Sequence, residues 1–318
     1  MKIAIISKSG TIMNWAEDAE QDFLLAGHEV RFISVRHAYL APVLNDLLYS
    51  KSLGKIRLAS ILSTLRRFRP DIILAIGAYQ LPPAVLEGIA AMQDRAPFAA
   101  WVGVKFTEAQ ARMSTCFDLV AYADTGLVRQ HEEMRLVPPA MLVPLAGRAA
   151  DEVPAVERTN RMLFVANPNP HRRDVLNAIS SGVEIYGPNW SKTPLAARHC
   201  VHSRRISPER VRGLYRSHAM TLNMRSDAYN IDGLNQRHFS PYPYGCAVVA
   251  EAMKDLEVCF DLGREIFVWS TVAELDELYA ALSRDPVRVT AVAAAGRKRV
   301  EGEHLYRHRI DAIVRRLR

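Results

Sequence analysis

The chain has 318 residues, 49% hydrophobic and 24% charged, the balance of an ordinary globular protein long enough for two domains. Its formal charge of +7 favours anionic partners such as nucleotide phosphates, lipid surfaces or nucleic acid, without choosing among them. No run of about 18 apolar residues is present, which excludes a spanning helix, and the opening MKIAIISKSG turns polar too soon for a secretory leader.

That opening reads instead as a buried strand over residues 2–6, followed by a helix over 12–26 that Gly27 ends. A second strand is expected at 29–34 and a helix at 56–68, stopped by Pro70. The apolar run 71–76 has the character of a parallel strand covered on both faces. A helix at 82–92 and strands at 98–102, 119–121 and 141–145 complete the first alternation. Residues 147–161 carry charge and proline without apolar periodicity and read as a linker. A second alternation begins at Met162, with a helix at 172–179, a strand at 183–186 and a helix at 208–215 capped by Ser207. Strands at 219–223 and 247–250 follow. Thr271 and Glu274 have capping-box spacing before a helix ending near Ser283, and the chain is mainly helical from Val289. Strand–helix alternation of this kind predicts doubly wound parallel sheets.

Cys116, Cys200, Cys246 and Cys259 form no CxxC pair or zinc-like spacing and read as reduced thiols of a cytoplasmic protein. Arg66, Arg67, Arg69 and the tail from 307 to 318 hold much of the excess charge, and read as solvated helix faces. No GxGxxG or P-loop follows the first strand, which argues against NAD enzymes and nucleoside triphosphatases. Ser9 and Gly10 in that turn can still offer backbone N–H groups to a ligand. In the second half, FVANPNPHRR passes from a strand through Asn167 into a helix, placing Arg172 and Arg173 at its start. Two cations there oppose the helix dipole; a bound anion offsets that, and solvated surface arginines are the other reading. VEIYGPNW ends a strand at Gly187, with Trp190 read as packing. Asp232 to Glu251 is densest in polar groups: Asn235, Arg237, His238, Ser240, Tyr244 and Gly245 lead into a buried strand that ends at Glu251.

These pieces, with NMRSDAYNIDGLNQRHFSPYPYGCAVVAE, GREIFVWSTVAEL and GEHLYRHR, resemble in order the CgeB-like (spore maturation protein type) glycosyltransferases over residues 160–310. That family is related to the wider GT-B group with a glutamate–seven–glutamate motif. The first half resembles it only in pattern. The resemblance implies an α/β, GT-B architecture: two facing Rossmann-like domains with a deep interdomain cleft. Residues 1–150 would form the acceptor side, 151–300 the nucleotide-sugar domain, and 301–318 a helix packing back toward the first. It also implies sugar transfer from a nucleotide-diphosphate donor, with retention of configuration. Arg172 or Arg173 would contact the phosphates, and Arg237 with N–H groups near Tyr244 and Gly245 would support them. Asn167, Gly187 and Asn235 would complete the substrate-binding set, and Asp232, Arg237 and His238 would carry catalysis. Asp232 matches the first acid of the motif, and Ser240 stands where the second would hold the ribose. Serine cannot bind two ribose hydroxyls as a carboxylate does. Glu251 is a nearby substitute. No DxD-type carboxylate pair is seen, so no metal and no cofactor is expected beyond the nucleotide sugar as co-substrate. Asp118, Asp124 and Glu108 are candidates for an acceptor base. The acceptor is open among glycan, lipid-linked sugar, protein and DNA. A modified-base DNA glycosyltransferase and a non-catalytic nucleotide-binding paralogue are the alternatives.

Overall fold

The computed structural model of the chain describes residues 1–9, 15–37, 53–150, 157–225 and 229–318. They form two compact units: Met1–Arg148 with Asp227–Leu234 and Tyr306–Arg318, and Ala149–Ser226 with Asn235–Leu305.

The first unit runs β1 (Lys2–Ser9), α1 (Trp15–Leu25), β2 (Glu29–His37), α2 (Leu53–Phe68), β3 (Ile72–Ile76), α3 (Pro83–Ala90), β4 (Phe98–Val102), α4 (Glu108–Ala111), β5 (Leu119–Tyr122), α5 (Thr125–Glu133) and β6 (Ala140–Leu142). Its six strands lie parallel in the order β2-β1-β3-β4-β5-β6. Ile3 to Ile6 and the whole of β3 are buried, because a parallel strand between flanking helices meets apolar cover on both faces. A polar chain threads this core. His131 Nε2 donates to the Pro138 carbonyl (2.9 Å), so Nδ1 accepts from the Tyr122 hydroxyl (2.9 Å), whose oxygen accepts from Tyr79 (3.0 Å). Burial holds the His131 imidazole below its ordinary pKa, which suits this neutral form.

The second unit runs β7 (Leu163–Val165), α6 (Pro170–Ala178), β8 (Glu184–Tyr186), β9 (Cys200–His202), α7 (Pro208–Ser217), β10 (Met220–Asn223), β11 (Ala247–Glu251), α8 (Leu256–Cys259), β12 (Phe267–Trp269), α9 (Val272–Arg284) and α10 (Pro286–Glu303). Its parallel order is β12-β11-β10-β7-β8-β9, so the chain reverses direction across the sheet between β7 and β10. The expected caps are present: Ser207 accepts from the Arg210 N–H, and Thr271 with Glu274 closes a capping box. The sequence pattern did not indicate β9, β12 or α5. Helix α5 is started by the buried Asp124, whose carboxylate accepts from the Gly126 N–H.

The final helix, α11 (Tyr306–Leu317), belongs to the first unit. Arg307 donates through its backbone N–H (2.8 Å) and its guanidinium (3.2 and 2.8 Å) to the carboxylate of Asp22 on α1, which has no exposed surface. Arg309 donates to the Leu145 carbonyl (3.1 Å). A buried acid thus has its charge and oxygens satisfied by the returning helix, the condition under which such burial is tolerated.

Candidate active site

Open α/β sheets hold ligands at the carboxyl edge, where strand order reverses. In the second unit that place is fixed by register. Thr221 pairs with Leu163, so the ends of β10 and β7 lie side by side; Asn223 pairs with Ala250, which puts Glu251 one residue further along the neighbouring strand.

Beyond β7 the chain turns through Asn167 into α6. Asn169 caps the helix by accepting from the Arg172 N–H (2.8 Å). Arg172 is buried; its Nη1 donates to the Asn167 carbonyl (2.9 Å) and its guanidinium lies 6.0 Å from the Phe164 ring. Gly187, at the end of β8, passes so close to this turn that an added Cβ would sit 2.1 Å from the Ala166 carbonyl oxygen. Trp190 is buried and donates to that same oxygen (2.7 Å), so it braces the turn by packing. Arg173 is half-exposed and shares its charge with Asp174 (2.7 Å).

Beyond β10 the buried amides of Asn223 and Asn235 exchange hydrogen bonds of 3.2 Å in each direction. The Arg237 backbone N–H donates to Asn235 Oδ1 (2.9 Å), and its Nε reaches toward Asn223 Oδ1 (3.5 Å). Among the described residues no carboxylate pairs with Arg237, and desolvation lowers its pKa. A half-buried guanidinium without a counter-ion is an arrangement that an anion completes. His238 is buried, and its Nδ1 accepts from the Asn235 N–H (3.2 Å). Burial pushes its pKa down to about 3.

Glu251 is buried at the end of β11. It accepts from His171 Nε2 (2.9 Å), from the Arg225 backbone N–H (3.0 Å) and from Arg225 Nε (3.1 Å). It therefore fixes a histidine at the start of α6 and an arginine just beyond β10. His171, Arg225 and Asn223 were not singled out from the sequence. Each falls within two residues of a strand end or helix start on this edge, the signal by which they could have been found.

Residues 170–315 match the family described as glycosyl transferase-like. No curated protein sequence matches the chain. Among solved structures, it is similar to Anabaena HepE in complex with UDP, at 12% identity and a TM-score of 0.64, covering 100% of this chain and 99% of that one. Sucrose-phosphate synthase from Thermosynechococcus elongatus gives 11% identity and a TM-score of 0.67, with 100% and 99% covered. A glycosyltransferase from Rickettsia africae gives 11% and 0.62, with 99% and 97% covered. The chain has the GT-B fold.

The structure departs from several sequence expectations. Tyr244 and Gly245 do not join the carboxyl edge. They precede β11, five residues long, and so lie about 16 Å away at the opposite edge of the sheet. The Gly245 N–H is spent on the Tyr242 carbonyl (2.8 Å), and Arg158 covers the turn by donating to the Tyr244 carbonyl (2.8 Å). His238 is buried in the turn with its ring bonded to Asn235, and burial favours its neutral form. Glu251 accepts from three donors of its own unit. Asp232 is counted with the first unit; its carboxylate meets Arg129 of α5 (3.0 Å) and its N–H donates to Asp124 (3.1 Å). Ser240 is half-buried just beyond Arg237, its N–H bonded to the Gln236 carbonyl (3.0 Å). Ser9 ends β1 in register with His37, and Gly10 lies outside the described residues.

Of the three acids considered as an acceptor base, Asp118 and Asp124 are engaged by other groups. Asp118 precedes β5 and is ion-paired with Arg95, which holds its carboxyl below the usual range. Asp124 is buried and accepts from Gly126 (2.7 Å), Ile231 (2.7 Å) and Asp232 (3.1 Å). Glu108 is exposed in the first turn of α4.

Proposed function

We propose that this chain is a glycosyltransferase that takes a sugar from a nucleoside-diphosphate donor whose diphosphate lies at the carboxyl edge of β7 and β10. The observation that carries the reading is Arg237: half-buried, without a carboxylate partner among the described residues, and held by its backbone N–H against a buried asparagine pair. Arg172, suspended from the Asn167 carbonyl on the neighbouring strand end, supplies a second guanidinium. That HepE, of the same fold, is solved with UDP and with UDP-glucose supports a uridine diphosphate sugar as the first donor to test.

The chemistry follows from where charge develops. The bond from the anomeric carbon to the β-phosphate oxygen breaks, and its electron pair leaves with that oxygen. The acceptor hydroxyl oxygen bonds to the anomeric carbon, and its proton passes to the departing phosphate oxygen, so configuration is retained without a protein nucleophile. Guanidinium groups fixed before the reaction stabilise the growing negative charge without reorganising. They supply the neutralisation that a divalent cation supplies elsewhere, so transfer is metal-independent in this reading.

The test is calorimetric titration of the wild type with UDP, GDP, dTDP and CMP, then turnover of the matching sugars against candidate acceptors with EDTA present. Saturable binding of one diphosphate and slow hydrolysis of its sugar without acceptor are expected. Binding of none of these nucleotides would refute the proposal, and a requirement for added divalent metal would refute its metal-independent form.

A further inference from the structure

A group of cations lies in the first unit, at the amino edge of its sheet. Strand β2 is an edge strand, and Lys2 and Ala4 of β1 are in register with its Glu29 and Arg31. Helix α2 covers the inner part of this face and ends at Phe68. Beyond its last turn lies a hollow of about 370 Å³, lined by Lys2, Glu29, Arg31, Thr64, Arg67 and Phe68. That volume falls within the range of small-ligand sites, roughly 300–1,000 Å³. Phe68 is buried, with Lys2 Nζ at 5.7 Å and the Arg31 guanidinium at 5.8 Å from its ring centre. Lys2 is ion-paired with Glu29 (3.6 Å). Arg31 and Arg67 have no carboxylate partner among the described residues.

Each cation alone has an ordinary account. Arg67 in the last turn of α2 suits the helix dipole, and a charge on edge strand β2 discourages pairing with another sheet. Neither accounts for two unpaired guanidiniums on a concave surface whose walls also carry a carboxylate and a hydroxyl. Guanidinium forks match phosphate oxygens, and Glu29 and Thr64 offer acceptors and a donor to carbon-bound hydroxyls. A hollow of this size admits one head group; it does not track the spaced phosphates of a nucleic acid.

We propose that this hollow is a second binding site, separate from the donor site, for a phosphate ester of a sugar or polyol. Arg31 and Arg67 bind the phosphate, and Glu29 and Thr64 meet the hydroxyls. The ester comes from one of two sources: a free sugar phosphate, or a phosphodiester-linked unit of a polymeric acceptor.

Full-length protein titrated at fixed ionic strength with glucose 6-phosphate, glucose, inorganic phosphate and a phosphodiester-linked disaccharide decides the matter. One ester is expected to bind at least about tenfold more tightly than glucose or inorganic phosphate, the loss of one charge-assisted contact. Preference for the monoester assigns the free metabolite, and preference for the diester assigns the polymer. The double variant Arg31→Ala/Arg67→Ala should weaken binding at least about tenfold, and Arg237→Ala should leave it unchanged. Both hollow positions are exposed, and circular dichroism of the double variant verifies its fold. In Glu29→Gln the ester should lose its advantage over inorganic phosphate. The proposal is overturned if neither ester binds saturably, if the double variant binds as the wild type does, or if Arg237→Ala abolishes binding. Inorganic phosphate binding as tightly as both esters overturns the hydroxyl contacts.

Discussion

Replacing Arg237 by alanine should separate a ligand-gripping residue from a structural strut, because the two roles predict opposite changes in stability. The substitution leaves in place the backbone N–H that bonds Asn235, and Asn223 Oδ1 keeps its partner in the Asn235 amide. What disappears from the fold is a 3.5 Å approach to Asn223 and a half-buried charge with no carboxylate partner among the described residues. Unfolding free energy should therefore stay within about 0.5 kcal/mol of wild type or rise, as expected when no buried partner is orphaned. Donor binding should move the other way. A hydrogen bond to a charged group contributes about 1.5–3 kcal/mol, so the diphosphate should bind about 10- to 150-fold more weakly. Arg237→Lys keeps the charge but not the fork and should fall between. Urea denaturation and calorimetric titration with UDP on the same preparations read both quantities. A stability loss above about 2 kcal/mol with unchanged UDP affinity would refute the reasoning, since it would make the guanidinium a brace.

Other substitutions probe the surroundings. Asp124→Asn keeps one carbonyl acceptor for three backbone N–H groups, so it should cost about 1–3 kcal/mol by urea denaturation, whereas equal stability would show that these bonds carry little. Gly233→Ala would place a Cβ 2.5 Å from the Asp124 Cβ and should cost about 1–3 kcal/mol. Gly213→Ala, on α7 with nothing within 4 Å, should instead stabilise by about 0.5–1 kcal/mol, and a shared sign would count against both arguments. For His238, burial depresses the folded-state pKa from 6.5 to about 3, so between those values the unfolded chain binds more protons. This contribution to stability is intact above pH 6.5 and is lost as pH falls, with a limiting slope of about 1.4 kcal/mol per pH unit. His238→Gln should flatten the stability–pH curve between pH 6 and 4 by about that slope, and parallel curves for the two proteins would show that the ring titrates normally.

The parallel strands were legible in the sequence for the same reason they are stable. Residues 72–76 and 247–251 are covered on both faces, so nearly every position is apolar. Strand β9 has a neighbour on one side only; Cys200, Val201 and His202 stay partly exposed, and no apolar run marks them. Trp190 could be assigned to packing from its type and position. The role of His238 could not, because its ring orientation and burial are properties of the folded turn. Asp232 shows the hardest case. Its place is set by bonds to Asp124 across 108 positions of sequence, and no local pattern reports a contact of that kind.

The misplacement of Tyr244 and Gly245 has a topological cause that sharpens how such stretches are read. Parallel neighbours are joined by a crossover that must climb from the carboxyl end of one strand to the amino end of the next. Only residues early in the crossover can share the ligand edge, however polar the later ones are. Applied between β7 and β8, this rule keeps Asn167, His171 and Arg172 and sends Ile179 into the core. Applied between β10 and β11, it keeps Asn235 and Arg237, lets the chain leave the edge through Phe239 and Tyr242, and delivers Tyr244 and Gly245 to the far side. Glu251 returns to the ligand edge because it ends the next strand. The two guanidiniums assigned to the diphosphate are thus those whose crossovers have just begun, and the register between β7 and β10 sets their anchoring strands side by side.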